Sequence, residues 1–540
     1  MGRHSRWLAQ FNKKYQPEKA TKIQAWWRRM LVVREAKKPL RRIFEGVVTG
    51  LTGLRCLVLI GAHDDVLGTW ARAMLQIGPE AIITQALGEH STSWLVLMRK
   101  AAFLLVLSLA YVPESPNASL YLDVLMVLLS NENAVAASGA QGSAFCQAIT
   151  EYLMKQQFYR LLGQAISKLP VENSTSFQRF LTLCMLPLST YPENSPDFNR
   201  IYVAIFAQVL SLPSLPNRLP LDRPSPLVSY LLLTTPDKLT PLIESINNKL
   251  SARSSSSLAA NVFMFVSPHY KILSTRAFTS YLQLSVELFN RFNQYALCPL
   301  SLSDSDSEAE FPREPAGHDS DGSDGETKYQ DSQLGDKARS PRLEVADETL
   351  SWLEKVATLQ HITDLINLTQ SQAVLLPYLA AYLFTVTATW PSSQQEIQKL
   401  ILENSSGWLV GDLYREVVRK SPLGQEEDSM NVHNPTYARH WPPIIFLADL
   451  YSQALQTMDD NEFFGTAPGS QGCNPLTLEE VALFSVQLLN VLFSLYWRSS
   501  DYWGESNEIQ PLYISSDVYC LWKALREKSM RCLWRIHAKE

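Results

Sequence analysis

Apolar residues recur along this chain at intervals of three, four and seven, the spacing that gathers them on one face of an α-helix. In residues 145–162, for example, Phe145, Ile149, Tyr152, Leu153, Tyr159 and Leu162 fall mostly at those intervals. Period-two alternation is scarce and no Asn-Gly hairpin turn occurs, so strands are not expected. Over residues 39–300, apolar segments alternate with short breaks at 113–116, 138–142, Pro170, Pro187, 192–196 and 213–226, each rich in Pro, Gly, Ser or Asn. Helix, short loop, helix over such a length predicts an all-α fold built as an irregular helical-repeat, solenoid-like array. No strict repeat period is present, so no consensus repeat is assigned.

Residues 301–346 interrupt this texture with few apolar residues and many acids, a composition that cannot bury enough surface to offset the entropy of ordering. The pattern therefore divides the chain into a basic helix over 1–42, a helical array over 43–300, a disordered acidic linker over 301–346 and a helical domain over 347–540. In the last, 421–443 and 464–475 read as loops. Thr477 followed three residues later by Glu480 is a capping box, in which each side chain bonds the other residue's backbone N–H. It predicts a helix with Val481, Phe484, Leu488, Val491, Leu492 and Leu495 on its inner face.

Charge sharpens the two unusual segments. Residues 1–42 hold thirteen Lys/Arg and two Glu, a balance of +11; residues 301–336 hold eleven Asp/Glu and two Lys/Arg, a balance of -9. The seven cysteines include no C-x-x-C pair and sit mostly among apolar neighbours, the usage of a reducing compartment. With a polar, basic start in place of a secretory signal, this points to the cytoplasm, the nucleus or both. The most apolar windows, 101–112 and 481–497, read as buried core helices and not as membrane spans.

No phosphate-binding glycine loop, nucleophile elbow or H-E-x-x-H pattern occurs, and the nine histidines are scattered, so neither metal nor cofactor is implied. Asp459-Asp-Asn-Glu462 lacks the alternation of a calcium loop. It reads as a helix C-terminus and turn.

The N-terminal segment carries the strongest partner signal. Ile23 and Gln24 followed by Arg28 match the start of the I-Q-x-x-x-R-G-x-x-x-R pattern that binds calmodulin or related light chains. Arg29 stands at the Gly position and Val33 at the last Arg position. The candidate contact residues are Ile23, Gln24, Trp26, Trp27, Arg28 and Arg29, apolar anchors flanked by cations that suit an acidic, Met-rich partner. The competing reading packs the same helix on the following domain through Trp26, Trp27 and Leu31. Nucleic acid is not expected, because no aromatic stacking platform accompanies the basic patch. In the acidic tract, Ser303, Ser305, Ser307 and Ser323 precede acids in the manner of acidophilic kinase sites; the alternative there is a plain solvated spacer.

The order of features resembles one family. The IQ-like helix is followed by Tyr152-Leu-Met-Lys-Gln-Gln-Phe-Tyr-Arg160 and Ile166-Ser-Lys-Leu-Pro170. The S-D-S-D-S-E-A-E tract comes next, at 303–310. Then come Tyr451-Ser-Gln-Ala-Leu-Gln-Thr-Met-Asp-Asp-Asn-Glu-Phe-Phe-Gly465 and Pro475-Leu-Thr-Leu-Glu-Glu480. This series is similar to the N-terminal region of the C-type, proteasome-associated, IQ-containing HECT ubiquitin-protein ligases, from about residue 20 to 535. The resemblance implies a scaffold that binds the proteasome and ubiquitinated substrates in a polyubiquitination pathway. It also implies that the catalytic HECT domain would follow this chain, whose own Cys520 and Cys532 take no catalytic role.

Overall fold

The structure, a computed structural model, describes residues 17–170, 174–193, 195–218, 243–246, 248–292, 296–299, 342–370, 372–404, 408–424, 437, 440–465, 474–497 and 516–539. The stretch 300–341, with Ser303, Ser305, Ser307 and Ser323, lies outside them. Helix dominates the described residues, so the fold is all-α. The chain divides into two compact units, Met1–Val209 with Asn217–Leu219 and Leu210–Pro216 with Pro220–Glu540. That division falls inside the stretch 43–300 that the sequence pattern treats as one array.

The first unit begins with α1 (Pro17–Gly46), α2 (Leu51–Ile60), α3 (Asp64–Ile77), α4 (Pro79–Ala86) and α5 (Ser91–Tyr111). It continues with α6 (Ala118–Leu129), α7 (Asn131–Lys155), α8 (Phe158–Lys168), α9 (Ser174–Met185) and α10 (Pro196–Ile205). From α2 onward, helices pack on the helix three places later: α2 on α5, α3 on α6, α4 on α7, α5 on α8 and α6 on α9. The repeat-like character is thus real in packing although no period is visible in sequence, because the elements range from 8 to 30 residues in length. Asp64 pins one such pair. Its carboxylate accepts from Ser115 Oγ (2.6 Å), Asn117 Nδ2 (2.9 Å) and Tyr121 Oη (2.7 Å), joining the start of α3 to the start of α6. These donors hold the Asp64 carboxyl below its ordinary value although burial acts against it.

Two breaks in this unit have different causes. Ser138 and Gly139 leave helical geometry inside α7, with Gly139 at φ 54°, where the 138–142 signal predicts a break. Beside it, a Cβ on Gly142 would lie 1.9 Å from the Ala134 carbonyl oxygen, so only glycine allows the chain to close over the kink. The second break separates α7 from α8 at Gln157, which is left-handed at φ 61°. The helically spaced residues 145–162 are therefore divided between two helices. Of the six apolar positions, Phe145, Ile149, Leu153, Tyr159 and Leu162 are buried, and Tyr152 is half-buried.

The second unit contains α11 (Ala252–Val266), α12 (Thr275–Phe292), β1 (Ala296–Pro299), β2 (Arg342–Val345), α13 (Asp347–Val356), α14 (Leu359–Thr369), α15 (Leu376–Thr389) and α16 (Gln394–Asn404). α17 (Trp408–Asp412), α18 (Trp441–Thr457), α19 (Asp460–Phe464), α20 (Leu478–Trp497) and α21 (Ser516–His537) follow. α12, α15, α18 and α21 form a continuous row, each packed on the next. β1 and β2, the only strands among the described residues, pair in parallel with Leu297 opposite Leu343 and Pro299 opposite Val345. Residues 342–345 thus leave the acidic linker to which composition assigns them. Leu343 and Val345 alternate inward, and a two-face pattern only four residues long is hidden inside a polar context.

By length and composition alone, Ser91–Tyr111 and Leu478–Tyr496 would each be long enough to cross a membrane. The apolar window 101–112 overlaps only the second half of the first. In the fold, α5 is a core helix that packs on α2, α6, α7 and α8, and Arg99 and Lys100 interrupt its middle.

Candidate functional site

Among the described residues, α1 meets the fold at its C-terminal end. Phe44 is buried, α1 packs on α2, and the Lys37 amino group donates to the Ile60 carbonyl, the last residue of α2. Lys37 and Arg41 stand near His63, and burial followed by these two cations lowers the His63 pKa. Pro39 sits inside the helix, where it removes one backbone donor. The other end is different. Ile23 is 65% exposed, Trp26 57% and Trp27 59%, and Leu31 and Val32 are exposed as well. Ile23, Trp27 and Leu31 follow one another at four-residue steps and so share a face, and the Trp26 and Trp27 rings lie 6.4 Å apart. Gln24, Arg28 and Arg29 are exposed beside them, and neither arginine has an ion pair among the described residues. The reading in which Trp26, Trp27 and Leu31 serve as core contacts is therefore corrected. The core that α1 does join is entered by Phe44, on its last turn.

The segments Asp459–Gly465 and Pro475–Glu480 are both built on capping boxes. Asp459 accepts from the Glu462 backbone N–H at 2.7 Å while Glu462 accepts from the Asp459 N–H at 3.0 Å. Gly465, left-handed at φ 65°, closes the short helix α19. The segment expected as a helix C-terminus and turn is instead the start of a new helix, because the Asp and Glu sit at the two box positions. The Thr477–Glu480 box forms as predicted, at 2.9 and 3.2 Å. Its glutamate does more than cap: Arg415 grips it with two hydrogen bonds of 2.6 and 2.8 Å. That guanidinium holds the Glu480 carboxyl below the usual carboxylate range. The predicted inner face of α20 is buried at all six positions.

Cys56, Cys146, Cys184 and Cys532 are buried free thiols. Cys532 is buried in α21 and desolvation pushes its thiol up to about 12, as it does for Cys184. A thiol so placed stays protonated at neutral pH, the reverse of what thioester chemistry needs. The side chain of Cys520 lies outside the described residues.

The packing also brings together residues that sequence spacing does not connect. An open groove of about 720 Å³ runs between α5 and α8. Phe103, Leu107 and Tyr111 of α5 form its apolar wall, while Lys155, Arg160 and Lys168 bring cations from α7 and α8. None of its eleven lining residues is acidic. No protein-family model, curated protein or solved structure matches the chain.

Proposed function

We propose that the chain is a helical interaction scaffold that holds α1 out for an acidic partner of the calmodulin or light-chain type. The observation that carries this reading is the exposure of Ile23, Trp26 and Trp27 on a helix whose other end is fixed to the fold. Two tryptophans left in water forgo roughly 2 kcal/mol of burial each, a cost that a partner groove would recover. The unpaired Arg28 and Arg29 would meet the partner's carboxylates at the rim. In a pull-down with calmodulin, with and without calcium, the chain is expected to bind, and Ile23→Asp with Trp27→Asp is expected to weaken binding by about 100-fold, as loss of aromatic anchors does. Binding unchanged by the pair would remove the assignment.

A second reading is favoured by the Asp460-Asn-Glu-Phe-Phe-Gly465 and Pro475-Leu-Thr-Leu-Glu-Glu480 elements. On it, the chain is the scaffold portion of a HECT-type ubiquitin transferase in the cytoplasm or nucleus, binding proteasomes and ubiquitinated substrates while another segment carries the catalytic cysteine. The protonated, buried thiol of Cys532 supports the separation of scaffold and chemistry. Incubation with a charged ubiquitin-conjugating enzyme is expected to give no reducible ubiquitin adduct, and affinity capture is expected to recover proteasomes. An adduct on Cys532, or capture without proteasomes, would overturn this reading.

A further inference from the structure

We infer that the α5–α8 groove is a docking site for an acidic peptide segment of a partner protein, one that carries an apolar anchor among its carboxylates. The inference is independent of the role given to α1. Of the three cations at the groove, Lys168 is committed: its amino group donates to the Ala110 carbonyl at 2.7 Å and lies 5.7 Å from the Tyr111 ring centroid. It thereby caps the C-terminal end of α5 and holds the ring at the groove wall. Lys155 and Arg160 are not committed. Neither makes a hydrogen bond or ion pair among the described residues, and nor do the side chains of Gln156 and Gln164 beside them. Two cations and two amides thus line the same open space with no side-chain partner among the described residues.

The local helix geometry adds to the positive character of the groove. Arg160 stands in the first turn of α8, where the helix dipole already presents positive potential, and that turn contains no acidic residue. The N-cap, Gln157, supplies no side-chain acceptor. No acid lines the groove or stands in that turn, whereas Asp64, Glu80, Asp347 and Glu479 place acids in the first turns of α3, α4, α13 and α20. A bound carboxylate would supply what the fold leaves out.

The wall selects the class of anion. Phe103 and Leu107 are half-buried, and Tyr111 is 69% exposed, so an apolar side chain can be sheltered within reach of both free cations. A small anion would gain nothing from that wall. A nucleic acid strand would want a longer track of cations and stacked aromatic faces, and here only two cations are free. A peptide that sets an aliphatic or aromatic side chain against α5 and its carboxylates toward Lys155 and Arg160 uses every feature, in the usual division between an apolar centre and a polar rim. The volume lies within the range of natural binding clefts.

The test is fluorescence anisotropy with the full chain and a short labelled peptide rich in Glu and Asp around one Phe. Binding is expected to weaken with added salt and when the Phe is replaced by Ser. Lys155→Glu with Arg160→Glu is expected to lower affinity by at least ~10-fold. Both side chains are exposed, and an unchanged thermal transition would show that the fold is kept. Arg28→Glu with Arg29→Glu in α1 is expected to leave peptide binding intact. The proposal is overturned if the groove pair binds as the parent does, or if only the α1 pair abolishes binding. It is equally overturned if a single-stranded oligonucleotide or phosphatidylserine vesicles compete better than unlabelled peptide.

Discussion

Replacing Asp449 by alanine is expected to destabilise the second unit by about 3 kcal/mol, the lower end of the range for breaking a mostly buried charged pair. Asp449 lies on α18 and its carboxylate is only 12% exposed. One oxygen accepts from Lys528 Nζ of α21 at 2.7 Å; the other accepts from Gln394 and Gln398 of α16 at 2.7 and 2.6 Å. A single carboxylate thus ties three helices. Removing it strands the ammonium of Lys528 and the buried amide of Gln398, and the loss of partners outweighs the loss of the carboxylate itself. Lys528→Met should cost less, about 1 kcal/mol, because the glutamines still bond the Asp449 carboxylate and the Arg531 guanidinium stands 4.0 Å from it. The double variant should fall short of the sum by more than ~1 kcal/mol, since the stranded ammonium is then gone. Urea midpoints followed by far-ultraviolet circular dichroism measure all three. Strict additivity would mean that Lys528 and Asp449 do not work as a pair.

Asp449 also shows where sequence reading stops. Nothing within a few residues of it marks it as a hub, because its partners lie 51 to 79 positions away. Features fixed by local chemistry were legible. The Thr477–Glu480 box and the inner face of α20 follow from spacing alone, and the 138–142 break follows from its glycines. The break at Gln157 was not legible, since glutamine carries no turn preference. What holds it is tertiary: Phe158 and Tyr159 are both buried just beyond it, and the Tyr159 hydroxyl donates to the Cys184 carbonyl at 2.9 Å. The candidate site divides in the same way. The residues of the α1 face could be named from an i, i+4 pattern. Whether that face is covered or open is a property of the fold. The groove had no sequence signal, because Tyr111, Lys155 and Arg160 meet only when α5 packs on α8.

The second large effect is on pH dependence, and it comes from one histidine. His361 of α14 is buried against the edge of Phe263 and beside Tyr270 and Tyr382, with Nε2 3.1 Å from the Tyr382 hydroxyl. Burial lowers its pKa from 6.5 to about 4, and Asp364 offsets this only in part. The folded state therefore binds fewer protons than the unfolded chain between those values, so stability rises with pH across that window. Stability that His361 contributes in full above pH 6.5 is lost as pH falls toward 4. The whole difference is about 3 kcal/mol, and about 2 kcal/mol of it should disappear between pH 7.5 and 5. His361→Gln removes the titrating group while keeping a polar side chain near the Tyr382 hydroxyl, which also bonds Tyr281. The variant is expected to be less stable at pH 7.5, yet to lose about 2 kcal/mol less than the parent on moving to pH 5. Urea titrations at the two pH values give both numbers. Equal losses in parent and variant would place the acid sensitivity elsewhere. His63 is the first group to test in that event, because its pKa too is held below 6.5, whereas Asp64 and Glu480, held below their ordinary carboxylate values, withdraw their stabilisation only at still lower pH.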